Sequence, residues 1–219
     1  MSSPTWQTAN GAVLPKSKSD LTPDGNFTIT APPKTDIWRR STEDDVFTAP
    51  TIYQKLKASD FKSIQVTVFA PWKTQYDQGG LILAFEPQPA SKESSNDVEP
   101  RKWIKAGIEY FALQSVIGVV GTDRFSDWSL SPMSQEHHQK ATLKMVRDGT
   151  TLWVHAAQEG SEKLLPMREV KWAFMEGREE SEIWVGVYAA KPTPDEGEDE
   201  EKGIEVSFSG LEVEREAEE

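Results

Sequence analysis

Along Trp103-Ile104-Lys105-Ala106-Gly107-Ile108-Glu109-Tyr110 two chemistries alternate residue by residue. Ile104, Ala106 and Ile108 are apolar, while Trp103, Lys105, Gly107 and Glu109 occupy the other parity. Successive strand side chains point to opposite faces, so this pattern predicts a strand with one core face and one charged, aromatic face. The same alternation puts Leu152, Val154 and Ala156 inward, with Trp153 and His155 opposite. In 183–190, Val185, Val187 and Ala189 suit the core and leave Trp184, Gly186 and Tyr188 on the other side.

Further apolar segments bounded by turn residues predict strands at Phe27–Thr30, Ile64–Phe69, Gly80–Phe85, Ile104–Phe111, Ser115–Val120, Ala141–Arg147, Thr151–Ala157, Ile183–Ala190 and Ile204–Phe208. Asp148-Gly149 marks a hairpin between two of them. No long helical stripe competes. This is an all-β chain, and the strand spacing predicts a sandwich of two antiparallel sheets. The expected organisation is an extended N-terminal segment over 1–25, one sandwich domain over 26–212 and an acidic tail over 213–219. Within the domain, 87–101 reads as a polar surface loop with three prolines and 195–202 as an acidic loop.

Charge sharpens this picture. The net charge is -12, yet residues 195–219 hold twelve acidic side chains against Lys202 and Arg215, so ten of those charges sit at one end. The rest is near neutral and offers no basic face for nucleic acid. The acidic run reads as solvated loop and tail. The absence of cysteine removes disulfides and thiolate chemistry. Without a secretory leader or a long apolar run, the expectation is a cytosolic protein that engages no membrane.

Eight tryptophans in 219 residues are many for one domain. Indole rings offer flat apolar surface and one donor, which suits sugar rings. The rival reading is a second small core under long loops. Lys105 and Glu109 lie about 13 Å apart along a strand, so each needs a partner from a neighbouring strand or a ligand. Asp77-Gln78-Gly79-Gly80 sits where a loop enters a sheet, and Ser126-Asp127-Trp128-Ser129 reads as a capped turn or a sugar contact. The adjacent His137 and His138 lack a third ligand, so no metal or other cofactor is expected.

The motifs Asp36-Ile37-Trp38-Arg39, Asp77-Gln78-Gly79-Gly80, Trp103–Glu109, Ser126–Ser129 and Val185–Ala190 occur in an order that resembles one family. It is the fungal and bacterial domain family of unknown biochemical function that includes the yeast regulator of enolase. The resemblance implies a concanavalin-A-like jelly roll, similar to the accessory domain of some β-xylosidases, and a cytosolic role in carbohydrate metabolism. It supplies no reaction and no catalytic set. Loops 87–101 and 195–202 look longer than the family pattern requires.

The expected function is carbohydrate recognition or metabolic regulation, with Trp38, Arg39, Asp77, Gln78, Trp103, Lys105, Glu109, Asp127, Trp128 and Tyr188 as ligand contacts. One alternative is an enzyme acting on a sugar or sugar phosphate through Glu109 with Lys105 or His155. Another is a protein-interaction module that contacts a metabolic enzyme.

Overall fold

The period-2 segments form strands, and their partners in space decide which face of each is core. The structure, a computed structural model, describes residues 5–216 other than 88, 92, 93, 137, 162 and 176, with the backbone alone at 89–91, 94–98 and 198. In chain order the strands are β1 (Trp6–Ala9), β2 (Asn26–Ala31), β3 (Ile37–Arg39), β4 (Asp45–Phe47), β5 (Thr51–Lys57), β6 (Phe61–Phe69), β7 (Gln78–Phe85), β8 (Pro89–Ser91), β9 (Ser94–Val98), β10 (Trp103–Phe111), β11 (Gln114–Thr122), β12 (Ser126–Pro132), β13 (Lys140–Asp148), β14 (Thr151–Gln158), β15 (Leu165–Val170), β16 (Glu182–Ala190) and β17 (Ile204–Arg215). One antiparallel sheet runs β1-β5-β16-β7-β10-β11-β12 and the other β15-β14-β13-β6-β17-β2. The expected two-sheet jelly-roll sandwich is the observed fold.

The main core lies between the sheets. Ile104, Ala106 and Ile108 of β10 meet Leu143 and Met145 of β13 and Val66 and Val68 of β6 in one apolar cluster, all with essentially no exposure. Each large aliphatic side chain buried there contributes about 1.5–3 kcal/mol relative to exposure. The β13–β14 hairpin closes tightly, with Asp148 opposite Thr151 and Gly149 at φ +57°.

A second cluster occupies the outer face of the seven-stranded sheet. There Tyr53, Ile82, Trp103, Trp184 and Tyr188 are buried together with Ile37 of the covering β3–β4 hairpin. Asn10 fastens this cover by donating to the carbonyls of Phe47 (3.0 Å) and Ala49 (2.9 Å). At its other end the Arg39 amide donates to Ser126 Oγ at 2.9 Å.

Several expectations need correction. Residues 6–9 are not a loose lead-in but an edge strand on β5, and Leu21 is buried in the main core. β5 escaped notice because Thr51, Ile52, Tyr53 and Gln54 are all buried, one face by the main core and the other by the second cluster, which erases the alternation. The stretch Ser126–Ser129 is not a turn but the start of edge strand β12. β17 runs through Arg215, so the expected tail from 213 begins inside a strand; bulges after Ser209 and Gly210 at φ +66° bend it. The polar loop 87–101 contains the β8–β9 hairpin. Asp195 is not solvated: it pairs with Lys191 (2.8 Å) and Lys73 (2.8 Å) and accepts from Thr74 Oγ1.

Candidate functional site

The outer face of β7, β10 and β11 is organised in cross-strand rows. Gly80, Gly107 and Gly118 stand opposite one another on these three strands and leave a bare stripe. To one side lies the row Ile82, Lys105, Val120, Trp128. To the other lies Gln78 beside Glu109. Long side chains from both rows lean over the stripe, which brings Lys105 and Glu109 into one hollow despite their separation along β10. Gly107 has a local reason to lack a side chain: a Cβ there would lie 2.3 Å from the Gly79 carbonyl oxygen.

The hollow has a volume of about 200 Å³. Its floor and sides are Gln78, Lys105, Glu109 and Val120, and its rim is Asp36, Trp38, Arg40, Tyr76 and Trp128. Trp38 meets Trp128 edge to face, with centroids 6.1 Å apart, and Phe111 supports Trp128 from behind at 5.1 Å. Tyr76 reaches the rim from a turn in which it adopts φ +69°, unusual for a bulky residue and a mark of local constraint.

Gln78 organises the polar floor. Its Oε1 accepts from Lys105 Nζ (2.6 Å) and from the Tyr188 hydroxyl (3.3 Å). Its amide nitrogen donates to Asp36 Oδ1 (3.3 Å) and to the Tyr76 carbonyl (3.3 Å). Asp36 Oδ1 also accepts from the Ile37 amide at 2.7 Å and lies 3.7 Å from Lys105 Nζ. Lys105 sits over the rings of Trp103 and Tyr188, at 5.8 and 5.7 Å.

Burial dominates the electrostatics. It pushes the Lys105 ammonium below its ordinary value, opposed by Asp36 and Glu109. It raises the Glu109 carboxyl to about 7, with Lys105 pulling down and Asp36 pushing up. The Trp128 indole N–H also favours the Glu109 carboxylate at close range, although it falls short of hydrogen-bond geometry and is a buried donor without a partner. Tyr188 is pushed well up by burial, then by Glu109 and Asp36, which keeps its hydroxyl a donor. A carboxyl at about 7 exchanges its proton near neutrality, so this site has the chemistry for hydroxyl recognition and for proton transfer.

Of the sequence candidates, Trp38, Gln78, Lys105, Glu109 and Trp128 line the hollow. Trp103 and Tyr188 lie beneath it, fully buried, as its aromatic foundation. Arg39 does not face it: β3 alternates, so Trp38 and Arg40 point to the hollow while Arg39 is buried against Asp45 (2.9 Å) and the Arg101 carbonyl (2.6 Å). Asp77 is also turned away, with no exposure, holding the amides of Lys73 and Thr74 and the ammonium of Lys191. Asp127 is exposed and pairs with Arg168 on β15. His155 belongs to β14 in the other sheet, so it shares no site with Glu109, and Trp153 goes with it. His137 lies outside the described residues, and His138 Nδ1 lies 2.7 Å from the Gln135 carbonyl.

Asp36, Arg40, Tyr76 and Val120 were missed. Asp36 adjoins Trp38 in a motif already singled out, whereas the turn that lifts Tyr76 to the rim leaves no trace in hydropathy. At the other end of this face Trp184 is capped by Arg101 at 4.0 Å and stacked on Tyr53 at 3.9 Å, so the second-core reading holds there.

Residues 14–216 match the family described as "Protein of unknown function (DUF1349)". The chain belongs to this family. A relative is an uncharacterized protein of Emericella nidulans, 36% identical over 207 residues and 94% of each chain. A functionally unknown Saccharomyces cerevisiae protein of solved structure matches with TM-score 0.69 at 20% identity, over 98% of this chain and 97% of that one. A point mutant of the GH43 protein BlXynB from Bacillus licheniformis matches at TM-score 0.58 and 12% identity, over 88% of this chain but 33% of its own. The alginate lyase of Klebsiella pneumoniae matches at TM-score 0.54 and 12% identity, over 90% and 84%. At these identities the solved structures establish a shared β-sandwich fold. Among the described residues no helix is long and apolar enough to cross a membrane.

Proposed function

We propose that this DUF1349 protein binds a small saccharide in the hollow between Trp38, Trp128, Lys105 and Glu109. The observation that carries the reading is convergence: two indoles, a carboxyl, a carboxylate, an ammonium and a fully engaged amide meet in one cavity of about 200 Å³. That is below the roughly 300–1,000 Å³ of pockets for drug-sized ligands, and it suits one ring better than a chain. Aromatic faces take the apolar side of a sugar ring, and short polar groups read its hydroxyls. The carbohydrate-active proteins among the fold neighbours support the reading by analogy alone.

Calorimetric titration of the wild type with common monosaccharides tests it. Binding should be abolished in Trp128→Ala and weakened at least tenfold in Glu109→Gln. No saccharide bound by the wild type, or equal binding by both variants, rejects it.

A second reading is favoured by Glu109 alone, whose carboxyl near 7 is poised as a general acid or base. Turnover of a saccharide that Glu109→Gln loses while still binding it would make this an enzyme. The family resemblance adds a regulatory use: sugar occupancy reported to a metabolic enzyme in the cytosol, with the exposed residues 196, 197 and 199–202 as a contact. Charge reversal of that loop should then release the partner without altering sugar binding.

A further inference from the structure

Among the described residues two lysines are buried, Lys105 and Lys191. Lys191 sits between two carboxylates, Asp77 at 3.1 Å and Asp195 at 2.8 Å, as a structural ion cluster does. Lys105 is held differently. Its nearest partner is a neutral amide oxygen, Gln78 Oε1 at 2.6 Å, and the carboxylate that pairs with it, Asp36 Oδ1, is 3.7 Å away. The rings of Trp103 and Tyr188 flank it, at 5.8 and 5.7 Å. It also borders the hollow, beside Glu109.

That setting suits a reactive amine better than a fixed charge. As an ammonium, Lys105 is spent on Gln78 and Asp36. Burial works against the ammonium and favours the neutral form. A neutral amine keeps an N–H for Gln78 Oε1 and still carries a lone pair. A desolvated lysine in an apolar pocket is where amines condense with carbonyl compounds. Glu109 supplies the second requirement, an acid that titrates near neutrality in the same cavity.

We infer that Lys105 forms a reversible imine with the open-chain aldehyde of a small aldose held in the hollow. This rests on the saccharide reading above and names its substrate class as the carbonyl form of a reducing sugar. The Lys105 lone pair forms the N–C bond to the aldehyde carbon, and the displaced C=O pair takes the Glu109 proton. The nitrogen returns a proton to the Glu109 carboxylate, which delivers it to the new hydroxyl. That oxygen leaves as water while the nitrogen pair closes the C=N bond. The product is a protonated imine with Glu109 ionised beside it, and Asp36 is a second carboxylate for the same cation. One carbonyl oxygen leaves as one water, and no oxidant or reductant is consumed.

The test is trapping on the full chain with glyceraldehyde and cyanoborohydride, which reduces an imine to a stable secondary amine, followed by peptide mass mapping. Lys105 should carry the adduct at least tenfold faster than the exposed Lys171 and Lys202. This preference should vanish in urea, where the lysines react alike. Glu109→Gln should slow labelling of Lys105 at least tenfold and leave Lys171 at its wild-type rate; the wild-type comparison decides alone should that variant fold poorly. Calorimetry with xylose and methyl xyloside separates the two readings, because the glycoside has no aldehyde form. Lys105 labelled no faster than Lys171, a preference that survives urea, or an unchanged Lys105 rate in folded Glu109→Gln overturns the imine. Binding of methyl xyloside then leaves the saccharide reading standing. No labelling preference together with no binding of either sugar overturns both.

Discussion

Lys105 Nζ lies 2.6 Å from Gln78 Oε1, beneath a cavity rather than at the surface. The contact joins β10 to β7 and spends the ammonium on protein groups, which leaves Glu109 to face the ligand. Replacing Lys105 with methionine removes the largest influence that lowers the Glu109 value. The carboxyl should then titrate above about 7, as read from its side-chain carbon resonance by NMR. A Glu109 value unchanged or lowered in Lys105→Met contradicts the arrangement.

Glu109 also sets a pH dependence of stability. Its value rises from 4.5 for a freely solvated glutamate to about 7 in the fold, so the folded state binds the extra proton between those values. Its contribution is full below about 4.5, declines as pH rises and is gone above about 7, at a cost on the order of 3 kcal/mol. Lys105, itself held below its ordinary value by burial, and Asp36 face it, and Tyr188 lies below. Glu109→Gln should therefore be more stable relative to wild type at pH 8 than at pH 5 in urea denaturation. An equal difference at both pH values contradicts this.

Lys191 bridges Asp77 and Asp195 with its side chain 1% exposed, which fixes the turn that carries Tyr76. Lys191→Met leaves Asp77 buried without its counter-ion and should cost about 3–5 kcal/mol. A loss below about 1 kcal/mol would show that water replaces the ammonium.

Asp195 is held well below the ordinary carboxylate range; burial opposes this, but Lys191, Lys73 and Thr74 outweigh it. Its contribution is present above the ordinary aspartate value and is lost as pH falls further. Asp195→Asn should flatten the acid limb of the stability profile, and an unchanged limb would count against the pairing.

The sequence made the sandwich legible where aliphatic inward positions alternated with aromatic, glycine or charged outward ones, as in β10, β14 and β16. It hid β5, whose two faces are both covered, and edge strands β12 and β15, whose polar faces resemble loops. The site was half legible. Parity brought Lys105 and Glu109 out of the core, whereas Trp38 and Arg39 entered together through a family motif, and only Trp38 faces the hollow because neighbours on β3 point to opposite sides. Parity also cannot say which sheet a strand joins, so Trp153 and His155 looked like neighbours of Glu109 until the topology separated them.

The eight indole N–H groups give the most direct test, since each yields one resolvable proton–nitrogen resonance. Addition of a bound neutral sugar should shift the Trp128 and Trp38 resonances strongly. Those of Trp6 and Trp153, away from the hollow, should stay in place. No movement at Trp128 at saturating sugar, or movement confined to Trp6 or Trp153, would contradict a saccharide site in the hollow between Trp38 and Trp128.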